Sequence, residues 1–291
     1  RQPDAVLFDL AGMDRILEIN EIDMTVTVEA GCTWANLYEA LQAKGLRTPF
    51  WGTLSGLKAS IGGGMSQNGV FWGSGRYGTA VQSCLAMEVV LADGTILDTG
   101  ASFTRPYGPD LTGLFLADTG ALGMKATITL RLIPEAQAHG YASFSFESYQ
   151  DTLAALGAIE RSGVSTECFG FDPGLNAIRM KRDSLTSDAK ALGKMMRKQL
   201  AHGGSQTENT IPKIIRANPF GPLNSMLGPE GQRWAPIHGL LPHSKAVACF
   251  DAIKALFASH AEEMDRLGIF TGTLVSAVSG SGAIIEPCLY W

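Results

Sequence analysis

The residues best suited to chemistry lie in one short window, Ser55–Gly78, which reads SGLKASIGGGMSQNGVFWGSGRYG. Its glycines are Gly56, Gly62, Gly63, Gly64, Gly69, Gly73, Gly75 and Gly78. Because glycine weakens the interior of a helix or strand, such a cluster is seldom explained by packing alone. Backbone amides without side-chain bulk can approach a flat or anionic ligand closely. The window therefore predicts a nucleotide-cofactor site, and tight turns alone are the alternative interpretation.

The end of this window, Gly73–Gly78, spells G-S-G-R-Y-G and matches the G-x-G-x-x-G pattern of dinucleotide-binding turns. That interpretation requires a strand before the first glycine and a helix at the last, whereas another glycine-rich stretch precedes this match. A nicotinamide-dependent dehydrogenase that uses Gly73–Gly78 stays open as an alternative. P-loop, G-x-S-x-G and H-E-x-x-H patterns are absent, which argues against nucleoside triphosphatases, α/β-hydrolases and zinc proteases.

Composition narrows the class of protein further. The 291 residues are 45% hydrophobic, which is enough for a well-buried core and two domains. A net charge of −5 argues against a nucleic-acid partner. The five cysteines are scattered without a C-x-x-C pair, so we predict no disulfide framework, no metal site and a reducing, cytoplasmic location. No apolar run is long enough to cross a bilayer.

The first half of the chain, to about Pro134, has the pattern of a mixed α/β domain. Thr25–Ala30 alternates as a half-buried strand. Thr33 can cap a following helix whose apolar residues share one face. The pattern predicts further strands at Leu85–Leu91, Thr95–Leu97 and Lys125–Ile133, and a short helix at Asp110–Leu116.

The second half changes character at a boundary near Pro134–Gly140. The predicted strands are Tyr141–Phe146, Val164–Phe171, Arg233–Leu241 and Ile269–Ala277, and the predicted helices are Tyr149–Ser162, Ser184–Ala201 and Ser244–Leu267. Gly203–Gly231 is rich in Gly, Pro and Asn and predicts an irregular insertion. This order indicates an antiparallel sheet with helices on one face. The basic helix at Ser184–Ala201 favours a solvated surface, with contact to a membrane surface or an electron acceptor as the alternative.

Seven segments occur in an order that resembles a known family. They are VTVEAG-x-TW-x-x-L from Val26, SGL-x-x-SIGG from Ser55, NG at Asn68, RYG at Arg76, MEVVLADG from Met87, DL-x-x-LF from Asp110 and TGALGM from Thr119. This order is similar to the FAD-binding domain of the vanillyl-alcohol oxidase/p-cresol methylhydroxylase superfamily, which includes D-lactate dehydrogenases and the glycolate oxidase flavoprotein subunit. The second half resembles the cap domain of that family, with IEP-x-x-x-W from Ile285.

The resemblance implies an α+β fold, with the second half of a PCMH-type FAD-binding domain followed by an antiparallel-sheet, ferredoxin-like cap domain. We expect the FAD-binding domain at 1–136, without its N-terminal subdomain, and the substrate or cap domain at 137–291, truncated at its C-terminus. The chain is thus expected to be a fragment of a longer polypeptide. One departure from the family is Ala117–Asp118–Thr119, where the family usually has Gly-Thr, Gly-Ser or Gly-Cys before an acidic or small residue.

By this resemblance, one set of residues would bind FAD through backbone and side-chain groups. The set is Ser55, Ser60, Ile61, Gly62, Gly63, Asn68, Gly69, Tyr77, Gly78, Gly123 and Met124. The physical chemistry agrees, because glycine permits close approach and buried polar atoms of a cofactor need partners.

Other single residues carry two interpretations each. His238 and His243 could accept a proton from a substrate alcohol, or could be structural histidines. Arg76 could pair with a phosphate or a substrate carboxylate, or with a surface acid. Tyr290 could line a substrate pocket, or could pack in the core.

Together these residues favour an FAD-dependent oxidoreductase that oxidises an alcohol, a 2-hydroxy acid or a phenol by hydride transfer to flavin N5. Its partners would be the small-molecule substrate and an electron acceptor, which could be oxygen, a cytochrome or a quinone, and a homo-oligomer is compatible with this class. A non-catalytic flavin-fold module is the remaining alternative.

Overall fold

The computed structural model describes residues 6–163, 165–172, 175, 206–207, 209–221 and 231–291. The chain divides into two compact units. The first comprises Arg1–Gly73 and Tyr77–Gln137, and the second comprises Ser74–Arg76 and Ala138–Trp291. The division at Gln137 lies beside the expected boundary at 136/137, but the short segment Ser74–Arg76 makes its contacts with the second unit.

The first unit is built on an antiparallel sheet of five described strands in the order β1-β2-β6-β4-β5. These strands are β1 (Ile16–Asn20), β2 (Thr25–Glu29), β4 (Cys84–Val90), β5 (Ile96–Asp98) and β6 (Met124–Arg131). The shorter β3 (Leu46–Arg47) and β7 (Ile133–Pro134) pair with each other. Val26, Val28, Ile128 and Leu130 are completely buried, as the alternation in β2 and β6 predicts.

Four α-helices are described before β6, and residues Ser74–Arg76 of the third are grouped with the second unit. These helices are α1 (Trp34–Gln42), α2 (Ile61–Gln67), α3 (Ser74–Tyr77) and α4 (Leu111–Leu114). Thr33 caps α1, because its hydroxyl accepts a hydrogen bond from the Asn36 amide at 3.2 Å. Trp34 and Leu41 lie on the buried face of α1, and the Trp34 ring meets Phe50 edge-on at 4.9 Å. The predicted amphipathic helix is therefore confirmed.

The second unit holds another antiparallel sheet, in which β14 (Gly282–Tyr290) is central among the described strands. The partners of β14 are β11 (Trp234–Pro236), β12 (Gly239–Pro242) and β13 (Phe270–Val278), and β9 (Phe169–Phe171) pairs with β13. A separate pair joins β8 (Ser143–Phe144) to β10 (Gln206–Thr207). The helices of this unit are α5 (Tyr149–Arg161), α6 (Thr210–Ala217), α7 (His243–Ser259) and α8 (Ala261–Leu267).

Helices α5 and α7 cover one face of this sheet. Leu153 and Phe250 from the helices pack with Val275, Ala277 and Ile285 from the strands in one hydrophobic cluster. Because side chains alternate along a strand, the odd-numbered residues of β13 and β14 face these helices and the even-numbered ones face away. This arrangement agrees with the predicted antiparallel sheet with helices on one face.

Several predicted elements differ from the structure. The predicted strand Arg233–Leu241 is two strands, β11 and β12, and the predicted helix Ser244–Leu267 breaks at His260 into α7 and α8. The region Gly203–Gly231 is not wholly irregular, because it contains α6. The predicted helix Ser184–Ala201 lies outside the described residues. Strand β14 has no counterpart in the sequence prediction.

Candidate functional site: a glycine-rich helix and a histidine–carboxylate pair

Part of the glycine-rich window forms helix α2, so the alternative that these glycines make only tight turns does not hold over Ile61–Gln67. Ser60 caps the N-terminus, because its hydroxyl accepts a hydrogen bond from the Gly63 amide at 3.1 Å. Asn68 ends the helix in the left-handed conformation, with φ of 53°. These two caps compensate for three consecutive glycines, which are poor helix formers.

The backbone amides of α2 bond to protein acceptors. The Ile61 amide donates to the Cys32 carbonyl at 2.8 Å, and the Gly62 amide donates to the Ala30 carbonyl at 2.8 Å. The Gly69 amide donates to the Gly64 carbonyl at 2.9 Å. The first two of these bonds anchor α2 to the segment between β2 and α1, and because the amides are already bonded, a ligand would meet mainly the side chains and exposed surface of this helix.

The three helical glycines face different surroundings. A Cβ atom at Gly62 would lie 2.8 Å from the Ala30 Cβ atom, and one at Gly64 would lie 2.9 Å from Cζ2 of Trp34. Gly63 is exposed, and a Cβ atom there would meet only the Ser60 hydroxyl, at 3.2 Å. Packing therefore explains Gly62 and Gly64, whereas Gly63 leaves a smooth, accessible surface on α2.

One buried polar atom at the end of α2 lacks a partner. The side-chain oxygen of Asn68 is inaccessible to solvent and accepts no hydrogen bond from the described residues. A buried polar atom without a partner costs free energy, so a donor from a bound group would be favourable there. This atom therefore offers a bound polar group an acceptor at the C-terminal end of α2, while the Ser60 hydroxyl and the accessible Gly63 lie towards the N-terminal end.

The remaining residues expected to bind the cofactor have local structural partners. The Ser55 hydroxyl lies 3.0 Å from the Thr53 hydroxyl, and the Tyr77 ring lies beneath the Arg47 guanidinium, 5.3 Å from its carbon to the ring centre. Gly78 has φ of 81°, a conformation that glycine adopts without strain. A Cβ atom at Gly123 would lie 2.4 Å from a Val89 methyl group, and Met124 opens β6 opposite Val90.

The G-x-G-x-x-G match does not have the surroundings of a dinucleotide-binding turn. The element before Gly73 is helix α2 and the element after it is the four-residue helix α3, so no strand leads into the first glycine. Gly73 itself has φ of 85° and would place a Cβ atom 2.0 Å from the Pro49 carbonyl oxygen. The structure therefore argues against the nicotinamide alternative.

A second chemical constellation lies in the second unit, on the face of β14 that points away from α5 and α7. His238 Nε2 lies 3.1 Å from Glu286 Oε2, and the thiol of Cys288 lies 3.4 Å from Glu286 Oε1. Two residues further along β14, the Tyr290 ring stacks on Trp234 with centres 6.4 Å apart. Alternation along β14 thus brings Glu286, Cys288 and Tyr290 to one face, with His238 at its edge.

The electrostatic interactions among these residues favour an ion pair between His238 and Glu286. The hydrogen bond with Glu286, together with its charge, raises the pKa of His238 against the opposing effect of burial. Burial and the neighbouring Glu286 charge raise the pKa of the Cys288 thiol to about 12, so this thiol stays protonated. His238 is half exposed, which leaves its other ring nitrogen accessible.

The other predicted residues of the second unit lie elsewhere. His243 begins α7, and its ring packs at the position where Gly157 of α5 lacks a side chain. Burial and the nearby Arg161 lower the pKa of His243. His243 is therefore on the helix-covered side of the sheet and is not brought together with His238. Arg76 is exposed at the end of α3.

Sequence reasoning missed Glu286, although it lies in the IEP segment that carried the resemblance. Its partner His238 is 48 residues away in the chain, between β11 and β12, and the pairing of both strands with β14 brings the two together. The signal that could have found Glu286 is a lone acid within an apolar segment, which burial makes costly unless a partner is present.

Within the described ranges, no group of three or more His, Cys, Asp or Glu side chains is placed to hold a metal ion. Among the helices that the structure describes, none combines the length and apolarity needed to cross a membrane.

Comparison with known proteins identifies the first unit. Residues 2–100 match the family model described as FAD binding domain. A probable mitochondrial D-lactate dehydrogenase of Danio rerio is 36% identical over 163 residues, which is 55% of this chain and 32% of that protein. Glycolate oxidase subunit GlcD of Bacillus subtilis is 35% identical over 125 residues, covering 42% of this chain and 26% of that protein. The chain thus spans about a third or less of the length of these curated relatives.

Solved structures extend the likeness of fold to nearly the whole chain. The alignment with alkyldihydroxyacetonephosphate synthase covers 96% of this chain and 57% of the synthase chain, with a TM-score of 0.69 and 16% identity. p-Cresol methylhydroxylase with substrate bound covers 96% of this chain and 64% of its own, with a TM-score of 0.67 and 18% identity. At such identities the likeness concerns the fold alone, and it confirms the expected PCMH-type α+β architecture.

The chain has the PCMH-type fold, and the family match includes its glycine-rich helix. Residues 2–100 match the FAD binding domain model, in line with the superfamily resemblance, and the cofactor that this match indicates is FAD.

Proposed function

We propose that this chain is part of an FAD-dependent oxidoreductase that oxidises a 2-hydroxy acid. The observation that carries the proposal is the family match over residues 2–100, which includes α2 and its unpartnered Asn68 oxygen. Relatives at 30–36% identity are named for D-lactate, D-2-hydroxyglutarate and glycolate. This pattern favours 2-hydroxy acids over simple alcohols or phenols.

On the cofactor side, Asn68 and the surface of α2 around Ser60 and Gly63 would hold FAD. The Asn68 oxygen would accept a hydrogen bond from the bound group, and the absence of a side chain at Gly63 would allow close approach. The bound flavin would supply the hydride-accepting chemistry of the reaction. The remaining predicted residues would support this surface through their local packing.

On the substrate side, His238 would act as the proton acceptor. Glu286 can only accept at its carboxylate oxygen, so His238 Nε2 donates to it and Nδ1 is left with a lone pair. That lone pair could take the proton of a substrate hydroxyl, and Glu286 would stabilise the resulting positive charge. Tyr290, on the same face, would line the substrate site. His238 can play this role only if it is neutral before the proton transfer, which requires a pH above its raised pKa.

The remaining assignments follow the same class of enzyme. The electron acceptor would be oxygen, a cytochrome or a quinone, and one relative at 30% identity is named D-lactate dehydrogenase [cytochrome] 1. A cytoplasmic location and a homo-oligomer remain predictions from sequence, and several relatives are named as mitochondrial.

Flavin binding is tested by titrating the purified protein with FAD and following flavin fluorescence and visible absorbance. Gly63→Val should abolish binding, because the new side chain occupies the accessible surface of α2. Gly140→Val is the matched control, since Gly140 lies in open space within the second unit. Failure of the unmodified protein to bind FAD, or equal binding by Gly63→Val, would contradict the proposed cofactor site.

Substrate class is tested on the flavin-loaded protein without oxygen. D-lactate, glycolate and vanillyl alcohol are added separately, and loss of the visible flavin band is recorded. Bleaching by D-lactate or glycolate is expected. Bleaching by vanillyl alcohol alone would overturn the assignment to 2-hydroxy acids while retaining the flavoprotein class.

A further inference from the structure

A buried ion pair lies in the first unit, in the turn that leads into β6. Lys125 Nζ lies 2.7 Å from Asp118 Oδ1, and both side chains are only 3% exposed. The same carboxylate accepts hydrogen bonds from the amides of Gly120 at 3.0 Å and Leu122 at 3.3 Å. Burial alone would raise the pKa of Asp118, but the Lys125 hydrogen bond and these amides outweigh it and hold the pKa below its usual value.

The turn held by Asp118 has an unfavourable backbone conformation. Ala117 and Thr119 both have φ of 56°, in the left-handed region that residues with side chains rarely adopt. Gly120 follows with φ of 80°. Such a conformation persists only where the surroundings enforce it, and here the three hydrogen bonds of Asp118 supply that enforcement.

This turn is bonded to the end of α2. The Ala117 amide donates to the Met65 carbonyl, and the Thr119 amide donates to the Ser66 carbonyl, both at 2.9 Å. Carbonyls in the last turn of a helix have no partner within the helix, so the turn supplies what α2 lacks. Asn68, with its unpartnered oxygen, is the next residue but one after Ser66.

We propose that Asp118 and Lys125 are positioning residues for the cofactor-binding helix, because they hold the Ala117–Gly120 turn in the conformation that caps α2 and orients Asn68. This inference rests on the proposed function in naming FAD as the ligand. The turn is where this chain departs from the pattern of the family it resembles, since Ala117 and Asp118 stand where a glycine and a small residue are usual. A glycine would adopt this left-handed turn without strain, whereas here the ion pair between Asp118 and Lys125 holds the turn in place.

The test compares Asp118→Asn and Lys125→Met with Asp93→Asn as the matched control. Asp93 also accepts an amide in a turn of the same unit, from Thr95 at 2.9 Å, but in the β4–β5 hairpin and away from the α2 cap. Two quantities are measured, the dissociation constant for FAD and hydrogen exchange of the Ala117 and Thr119 amides without FAD. Asp118→Asn and Lys125→Met should each raise both the dissociation constant and the exchange rates about tenfold or more, and Asp93→Asn should change neither.

A rescue variant separates positioning from general loss of stability. Ala117→Gly removes the strain of the left-handed backbone, so in the Asp118→Asn background it should restore most of the lost FAD affinity. Faster exchange with unchanged FAD affinity would overturn the inference, and so would Ala117→Gly leaving the affinity of Asp118→Asn unimproved. If the unmodified protein binds no FAD, the proposed function fails. The exchange measurement still tests by itself the hold of the ion pair on this turn, and unchanged exchange in Asp118→Asn and Lys125→Met would overturn it.

Discussion

His238 Nε2 lies 3.1 Å from Glu286 Oε2; His238 lies between β11 and β12, and the pairing of both strands with β14 brings it to Glu286. The carboxylate fixes which ring nitrogen of His238 carries its proton and stabilises the charged ring. The geometry therefore defines both the basicity of His238 and the nitrogen that it presents to solvent.

Replacing Glu286 with glutamine should lower the pKa of His238, because the hydrogen bond and charge of Glu286 are what raise it. Titration of the His238 ring by NMR measures the change directly. In the flavin-loaded protein, reduction by a 2-hydroxy acid should become slower, and the acid limb of its pH profile should move to lower pH. Glu262→Gln, on the exposed helix α8, is the control. An unaltered His238 titration in Glu286→Gln would show that the pair does not form.

Glu160 is a buried acid whose two carboxylate oxygens have no hydrogen-bond partner among the described residues. Burial, with a smaller contribution from Glu167, raises the pKa of Glu160 to about 7. The folded protein therefore binds this proton more tightly than the unfolded chain, whose value is 4.5. The contribution of Glu160 to stability is therefore fully present below pH 4.5 and is lost as the pH rises through about 7.

Glu160→Gln should accordingly increase the free energy of unfolding above pH 7, by up to about 3 kcal/mol, and flatten its pH dependence between about 4.5 and 7. Denaturant unfolding at several pH values provides the measurement. Glu147→Gln, at an exposed position in the same unit, should leave the curve unchanged. A stability loss in Glu160→Gln at pH 8 would mean that the carboxylate is ionised and bonded.

The sequence predicts those elements whose signals are local. Thr33 is a helix cap followed by residues with helical spacing, and β2 and β6 alternate cleanly, so α1 and both strands follow from the residues themselves. Strand β14 was missed because it is buried on both faces over most of its length, which removes the alternation that marks a strand.

Helix α2 is a case in which the local sequence argues against the element that the structure contains. Three consecutive glycines argue locally against a helix, yet the bonds to Ala30 and Cys32 and the packing against Trp34 hold them in one. Those partners lie some thirty residues earlier in the chain, so no local pattern reports them. The glycine-rich window stands out in the sequence, but its helical conformation could not be predicted from it.

The carboxylate of Asp172 should contribute strongly to the stability of the second unit. Its buried carboxylate accepts the amides of Leu175 at 2.8 Å and Thr273 at 2.9 Å, and Lys254 Nζ lies 2.8 Å from its second oxygen. Asp172→Ala should reduce the free energy of unfolding by about 3–5 kcal/mol, since two buried amides lose their acceptor and Lys254 loses its partner.

Lys254→Met is the matched variant, because Lys254 is 42% exposed and its loss leaves both amide bonds intact. Its effect should be about 1 kcal/mol or less. Chemical denaturation of both variants and of the double variant measures the coupling. Equal effects of the two single variants would show that the ion pair, and not the amide bonds, dominates the contribution of Asp172.

Gly64 and Gly63 are adjacent in α2 but should respond oppositely to the same substitution. In Gly64→Ala the new methyl group would lie 2.9 Å from Cζ2 and 3.0 Å from Nε1 of Trp34, which is only 1% exposed and cannot move aside freely. Overpacking of this kind costs about 1–3 kcal/mol. In Gly63→Ala the methyl group meets only the Ser60 hydroxyl, so the better helix propensity of alanine should leave stability unchanged or raise it by up to about 1 kcal/mol.

Thermal unfolding of the two variants without FAD gives the comparison, and tryptophan fluorescence reports whether the surroundings of Trp34 change in Gly64→Ala alone. Similar losses of stability in both variants would mean that Gly63 is also packed against the unit. A loss confined to Gly64→Ala separates a glycine required by the fold from one whose open surface remains available to a cofactor.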